Sequence, residues 1–283
     1  MNYIDLLRKT SNRFNSIVSL GLDPVIDDIP INSGTIKDRI LSFYESILNR
    51  IIQQKIYPAA VKPNFAFYSQ YGIEGIEALV LIIRLFKSEG FPVILDVKRG
   101  DIGKTSKAYS KEAFEFLKAD AVTLSPFMGF DSISPFIDNY PNKGYYILNK
   151  TSNKSSREIQ DILINGSPFY TYISKKIIDW HTPGIGAVVG GTNINELKNI
   201  ANIFFNSKKN IPLLIPGIGS QGGSVEDVVN ILKKFKDLHI HRINSSSSIN
   251  YAYKKHENLH FSNAAIKELK ILNNKIDSAL DKK

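Results

Sequence analysis

The chain has 283 residues, 43% hydrophobic and 22% charged, with no cysteine and a formal net charge of +9. That length suits one large domain or two small ones, and the lack of cysteine excludes disulfides and thiolate metal sites. No stretch approaches the ~18 apolar residues of a membrane span, and the acid-bearing start Met1-Asn2-Tyr3-Ile4-Asp5 does not read as a signal peptide, so a cytoplasmic location is expected. The positive charge raises nucleic-acid binding. Yet the lysines are spread along the chain apart from a loose C-terminal cluster, and no ribonucleoprotein motif or zinc finger appears. Neither nucleic acid nor membrane is an expected partner.

In chain order, residues 1–16 carry Ile4, Leu6, Leu7 and Phe14 at roughly helical spacing. Residues 17–24 read as a strand ending in Asp23-Pro24, and 36–54 as a helix with a stripe of Ile40, Leu41, Tyr44, Ile47, Leu48 and Ile51. A second strand, 59–64, ends in Lys62-Pro63-Asn64. A helix over 75–89 is followed by Gly90 as its C-cap. Strand three, 91–99, runs into Asp96-Val97-Lys98-Arg99-Gly100-Asp101. A helix over 109–117 precedes strand four, 121–124, and a helical turn over 133–137 precedes strand five, 144–148. Then follow a helix over 168–180, strand six over 185–190, a helix over 195–203 and strand seven over 212–215. A helix over 225–235, strand eight over 238–244 and a last helix over 262–280 complete the chain.

Short apolar strands between amphipathic helices indicate a parallel sheet. Eight such units in one chain predict an α/β fold, a (β/α)8 TIM barrel as a single domain over 1–283. A doubly wound sheet is the alternative. Function in a barrel sits at the C-terminal ends of the strands. Those ends carry Asp23, Lys62 with Asn64, Asp96 with Lys98, Ser125, Asn149, Gly190-Gly191-Thr192, Gln221 and Asn244-Ser245-Ser246. In an extended strand Asp96 and Lys98, two apart, point to the same side. The pattern predicts an array of Lys62, Asp96, Lys98 and Asp101, whose lysines relieve the repulsion between acids. Such a preset field suits a reaction in which substrate charge moves or disappears. A purely structural salt-bridge network is the alternative reading.

The loop Gly217-Ile218-Gly219-Ser220-Gln221-Gly222-Gly223 after strand seven precedes a helix, where backbone N–H groups can hold an anion. The serines 245–248 offer further donors. Gly217-x-Gly219-x-x-Gly222 also matches a dinucleotide fingerprint, but the expected acid about 20 residues on is absent. Gly103-Lys104-Thr105 mimics the end of a P-loop without its earlier glycine. The five histidines show no metal-ligand spacing.

Taken together, Asp96-x-Lys98-Arg99-x-Asp101-Ile102-x-x-Thr105, Gly21-Leu22-Asp23-Pro24, Val61-Lys62-Pro63-Asn64, Ser125-Pro126-Phe127-Met128-Gly129-x-Asp131-Ser132, Lys150-Thr151-Ser152-Asn153 and the glycine loop resemble the orotidine 5′-phosphate decarboxylase family, in its type 2 subfamily. The resemblance implies decarboxylation of orotidine 5′-phosphate to UMP, the last step of pyrimidine synthesis, in a homodimer with shared active sites. It implies no metal and no organic cofactor. It gives Lys98 the proton delivered to C6, Asp96 a place facing the substrate carboxylate, and Lys62 the array and a ribose hydroxyl. Asp23 and Asn64 would bind ribose or neighbouring groups. Asp101, Ile102 and Thr105 would reach into the partner's site, and Ser125 would touch the pyrimidine. Gln221 and the amides of Gly222 and Gly223 would hold the phosphate, with Ser246 and Ser247 beside them. One departure stands out. Where the family has an arginine after strand eight, this chain has Ser247, and Arg242, about 16 Å back along a strand, is a poor substitute. The rival readings are a Mg²⁺-dependent sugar-phosphate lyase, a Schiff-base aldolase using Lys62, and a non-catalytic phosphate-binding barrel.

Overall fold

The computed structural model describes residues 1–219 and 222–281. Its main sheet contains β1 (Val18–Leu22), β2 (Ala60–Pro63), β3 (Ile94–Arg99), β4 (Ala121–Leu124), β5 (Gly144–Lys150), β6 (Ile185–Val189), β7 (Leu213–Ile215) and β8 (Arg242–Ser245). Every ladder is parallel, in the spatial order β2-β1-β8-β7-β6-β5-β4-β3. Parallel bridges Val61–Val93 and Asn64–Asp96 join β2 to β3, so the sheet closes into the expected (β/α)8 barrel and leaves no open edge. No helix among the described residues is long and apolar enough to cross a membrane.

The strand period of two sorts the side chains into an inner and an outer set. Ala60, Ile94, Ala121, Tyr146, Val188 and Leu214 pack inside the barrel against Tyr3, Ile4 and Leu7 of the first helix, Tyr3–Phe14. Their neighbours Val61, Leu95, Val122, Tyr145, Ala187 and Leu213 face outward into the core shared with the surrounding helices. The helix Ile36–Gln54 buries Ile40, Tyr44, Ile47, Leu48 and Ile51 of the predicted stripe, with Phe43 buried beside them and Leu41 only half-buried, and starts at a Thr35–Asp38 capping box. Two residues further along the inner set come Lys62, Asp96 and Thr123. The site is therefore the uppermost interior layer of the barrel.

The first helix plugs the other end. Tyr3 Oη donates to Tyr146 Oη (3.1 Å). The fully buried Arg242 donates to Leu7 O, Thr10 Oγ1, His239 O and His241 O. Arg242 is thus committed to the N-terminal end, away from the serines at 245–248.

Two local expectations are revised, and two further elements appear that the spacing does not predict. Residues 238–240 form a 3₁₀ turn capped by Asp237, whose Oδ1 accepts from His239 N, so the eighth strand starts at Arg242. The helix expected from Tyr109 already begins at Gly103 and ends in a π-turn over Glu112–Phe116. An unanticipated short helix, Phe65–Ser69, is capped by Asn64. Leu163–Ile164 and Ser167–Pro168 pair as a small antiparallel hairpin, whose turn residues Asn165 and Gly166 both have positive φ.

Candidate active site

The core of the site is a carboxylate held by three donors. Lys62 Nζ donates to Asp96 Oδ2 (3.0 Å) and Lys98 Nζ to Asp96 Oδ1 (2.7 Å). Thr123 Oγ1 also donates to Asp96 Oδ1 (2.8 Å). The two lysines differ in access: the Lys62 side chain is 6% exposed and that of Lys98 is 50% exposed. Lys62 lies beneath the carboxylate, while Lys98 stands at the mouth. Burial pushes the Asp96 carboxyl up, but Lys62 and Lys98 outweigh it and hold the group well below the usual carboxylate range. Burial pulls the Lys62 ammonium down, yet Asp96 and Asp23 more than compensate and leave it raised. Asp96 and Lys62 therefore both carry charge at neutral pH.

Lys98 does not reach Asp96 by simple strand alternation. Its φ is +47°, and the β3–β4 register shifts between Leu95 and Arg99. The residue sits on a bulge in a left-handed conformation that few non-glycine residues adopt. Thr123 Oγ1 accepts from both Val97 N (3.1 Å) and Lys98 N (2.9 Å). One buried hydroxyl therefore holds the bulge and the carboxylate together.

The neighbouring strand ends extend the site. Ser246 Oγ donates to Asp23 Oδ2 (2.5 Å), and Asn64 N donates to Asp23 Oδ1 (3.2 Å). This approach needs glycine at 21, because a Cβ there would lie 2.5 Å from Ser246 Cβ. A cavity of about 360 Å³ is lined by Lys62, Asp96, Lys98, Thr123, Thr151 and Ser152, among others. One of about 440 Å³ is lined by Asp23, Lys62, Asn64, Asp96, Ser246 and Ser247, among others. A third, of about 690 Å³, carries Gly219, Gly222, Gly223, Ser245, Ser247 and Ser248 on its wall. The first two share Lys62, Asp96 and Pro216, and the last two share Asp28, Ile218, Ser247 and Tyr251. A continuous trough thus runs from the charged array to the glycine–serine loop.

The structure departs from the sequence expectation at Asp101 as a member of the array and at the amides of the glycine loop. Asp101 forms no ion pair with Lys62 or Lys98 among the described residues; its Oδ1 accepts from Ile102 N (2.7 Å). The array within one chain therefore has three members, since the bulge ends at Gly100 and turns Asp101 away. Ile102 and Thr105 are exposed and line none of these cavities. Ser125 is half-buried beside Gly100 and also lines none of them. Finally, Gly222 N donates to Gly219 O (3.1 Å) and Gly223 N to Gly217 O (3.2 Å). Both amides are engaged within their own loop, because positive φ at Gly217, Gly219 and Gly222 folds it back on itself. Gln221 lies outside the described residues.

Thr123 and the Thr151-Ser152-Asn153 wall were missed as site residues. Thr123 looks like ordinary strand sequence, and only its inward position two residues after Ala121 signals a role. Residues 151–153 follow a strand end, which is the signal that was available.

A closed parallel barrel with a carboxylate fixed between two ammonium groups at its mouth, leading to a glycine–serine loop, defines a (β/α)8-barrel enzyme with a preset charge field. The chain belongs to the orotidine 5′-phosphate decarboxylase / HUMPS family, whose model matches residues 17–260. It is 39% identical over 255 residues to the orotidine 5′-phosphate decarboxylase of Ralstonia nicotianae, covering 89% of this chain and 90% of that one. It is 37% identical over 257 residues to that of Dechloromonas aromatica, covering 90% and 92%. The solved OMP decarboxylase of Leishmania donovani matches with a TM-score of 0.78 at 31% identity, covering 98% of this chain and 100% of that one.

Proposed function

We propose that this chain is a carboxy-lyase that converts orotidine 5′-phosphate into UMP, the closing step of pyrimidine nucleotide synthesis, in the cytoplasm. The observation that carries the chemistry is the ionised Asp96 held between Lys62 and the accessible Lys98. The substrate carboxylate enters beside a fixed carboxylate and leaves as neutral CO2. The electron pair of the broken C6–C bond stays on C6 and takes a proton from the Lys98 ammonium. The field favours the reaction because it is built before the substrate arrives and the repulsion disappears as CO2 departs. Lys62 holds the array from below and reaches a ribose hydroxyl. Asp23 and Asn64 bind the ribose end, and Ser246 and Ser247 stand toward the phosphate. Binding of the distant phosphate supplies the energy that positions the pyrimidine. The step calls for no metal or organic cofactor, since a lysine supplies the proton and Asp96 already has ammonium donors on both oxygens.

The same reading makes the enzyme a homodimer in which Asp101, Ile102 and Thr105 complete the partner's site. Their position outside their own cavities supports it. So do the exposed apolar side chains of Ile102, Phe127 and Met128. Purified protein incubated with orotidine 5′-phosphate should consume its ultraviolet absorbance and yield UMP and CO2, and Lys98→Ala should abolish this. Turnover that survives the substitution would refute the assignment.

A further inference from the structure

Arg99 belongs to the charged motif, yet neither the array nor the substrate trough uses it. Its guanidinium carbon lies 5.1 Å from the Phe65 ring centroid and 4.2 Å from that of Tyr109. Its Nη2 donates to Glu112 Oε2 (2.8 Å). Three elements therefore meet on one planar cation. Phe65 opens the short helix capped by Asn64, which bridges to Asp96. Tyr109 and Glu112 lie on the helix that follows Asp101. Arg99 itself directly follows Lys98, and its carbonyl accepts from Ser125 N (2.7 Å).

We propose that Arg99 is a positioning residue for proton delivery: it pins the chain immediately after Lys98, so that the bulge holds the Lys98 ammonium against Asp96. The left-handed backbone at Lys98 is a conformation that a non-glycine residue leaves unless its surroundings hold it. Thr123 restrains the amides of Val97 and Lys98 on one side. On the other side the strand is about to break at Gly100, and the Arg99 side chain and carbonyl are the restraints. A guanidinium suits this task and an ammonium does not. It lies flat against an aromatic face while still directing an N–H at a carboxylate, whereas lysine presents a point charge on a flexible stem.

The proposal rests on the assignment of Lys98 as proton donor, so its test has an arm independent of turnover. Arg99→Lys keeps the charge and loses the guanidinium over the Phe65 and Tyr109 rings. With enzyme concentration set by UMP-binding stoichiometry, kcat for orotidine 5′-phosphate should fall about 10- to 100-fold, as expected for a catalytic group displaced by an ångström or less. KM and UMP affinity should change less than about threefold, because Asp23, Ser246 and Ser247 stand at the ends of β1 and β8, away from Arg99 on β3. Tyr109→Phe, which retains the ring, should keep wild-type kcat, and Tyr109→Ala should reproduce the loss. In the crystal structure of Arg99→Lys, Lys98 should leave the left-handed region and its Nζ should move out of hydrogen-bonding distance of Asp96. An unchanged kcat in Arg99→Lys, or an unmoved Lys98 in its structure, overturns the proposal. Failure of Lys98→Ala to abolish turnover, with Lys98 displaced in Arg99→Lys, instead overturns the assignment on which it rests.

Discussion

Thr123→Val offers the sharpest test of how the array is built. Thr123 is 1% exposed, and valine matches its shape, so the change removes a hydroxyl and little else. That hydroxyl makes three hydrogen bonds, donating to Asp96 Oδ1 and accepting from Val97 N and Lys98 N. Each stranded buried N–H costs about 1–3 kcal/mol, and a hydrogen bond to a charged group contributes about 1.5–3 kcal/mol. The bulge relieves part of this by moving toward other partners. The net loss of stability should therefore be about 2–4 kcal/mol, within the range of a broken buried network. The movement displaces Lys98, so kcat should fall by roughly 100-fold, while KM, set on the ribose and phosphate side, changes little. Thr123→Ser keeps the oxygen and should retain most activity. Denaturant unfolding and steady-state kinetics on both variants measure these effects. A Thr123→Val enzyme with kcat within about twofold of wild type would refute the role given to this hydroxyl.

Other predictions address the rest of the site. Because its pKa is depressed, Asp96 contributes stability above its unfolded value near ~3.9, and this is lost as pH falls through the depressed value. Lys62, raised, contributes below ~10.4, and its contribution is lost as pH rises through the raised value. Between these limits neither group should bend the pH–rate profile. Lys62→Met removes a main partner of Asp96 and should move the acid limb of kcat to higher pH while costing about 3–5 kcal/mol of stability; an unmoved limb argues against the coupling. Ser247→Arg places a cation where the two outer cavities meet and should lower KM for orotidine 5′-phosphate about tenfold or more, whereas an unchanged KM shows that the phosphate does not sit there. Lys98→Ala and Asp101→Ala should each be inactive alone. Mixed under exchange, they should recover about a quarter of wild-type activity through hybrid dimers with one intact site, and no recovery counts against a shared site. Arg242→Met should lower thermal stability by loosening the first helix yet leave KM unaltered; a raised KM would mean that Arg242 reaches the substrate.

How much was legible in the sequence depended on the range of the interaction. Alternating apolar strands and amphipathic helices are local patterns, so the eight-unit barrel and its inner and outer faces could be read directly. The charged strand ends could be read for the same reason: a barrel collects the C-terminal ends of its strands at one mouth, which put Lys62 beside Asp96 across 34 residues of chain. Local capping was less visible. Asp237 and Asn64 took short turns that hydrophobic spacing does not announce.

What only the tertiary structure decided was geometry that depends on two or more chain segments at once. Asp96 and Lys98 meet, as the sequence implied, but through a bulge held by Thr123 from the adjacent strand rather than through regular alternation. The glycine loop has the composition of an anion cradle, yet its Gly222 and Gly223 amides close on the loop's own carbonyls. Arg242 could be read as too far from Ser247, but its purpose, clamping the first helix across the barrel floor, emerges only once residues 7 and 242 are neighbours. Composition and periodicity determined the scaffold and which residue types reach its mouth. Contacts between distant segments determined which of those residues touch, because a hydrogen bond is set by a few tenths of an ångström that no one-dimensional spacing encodes.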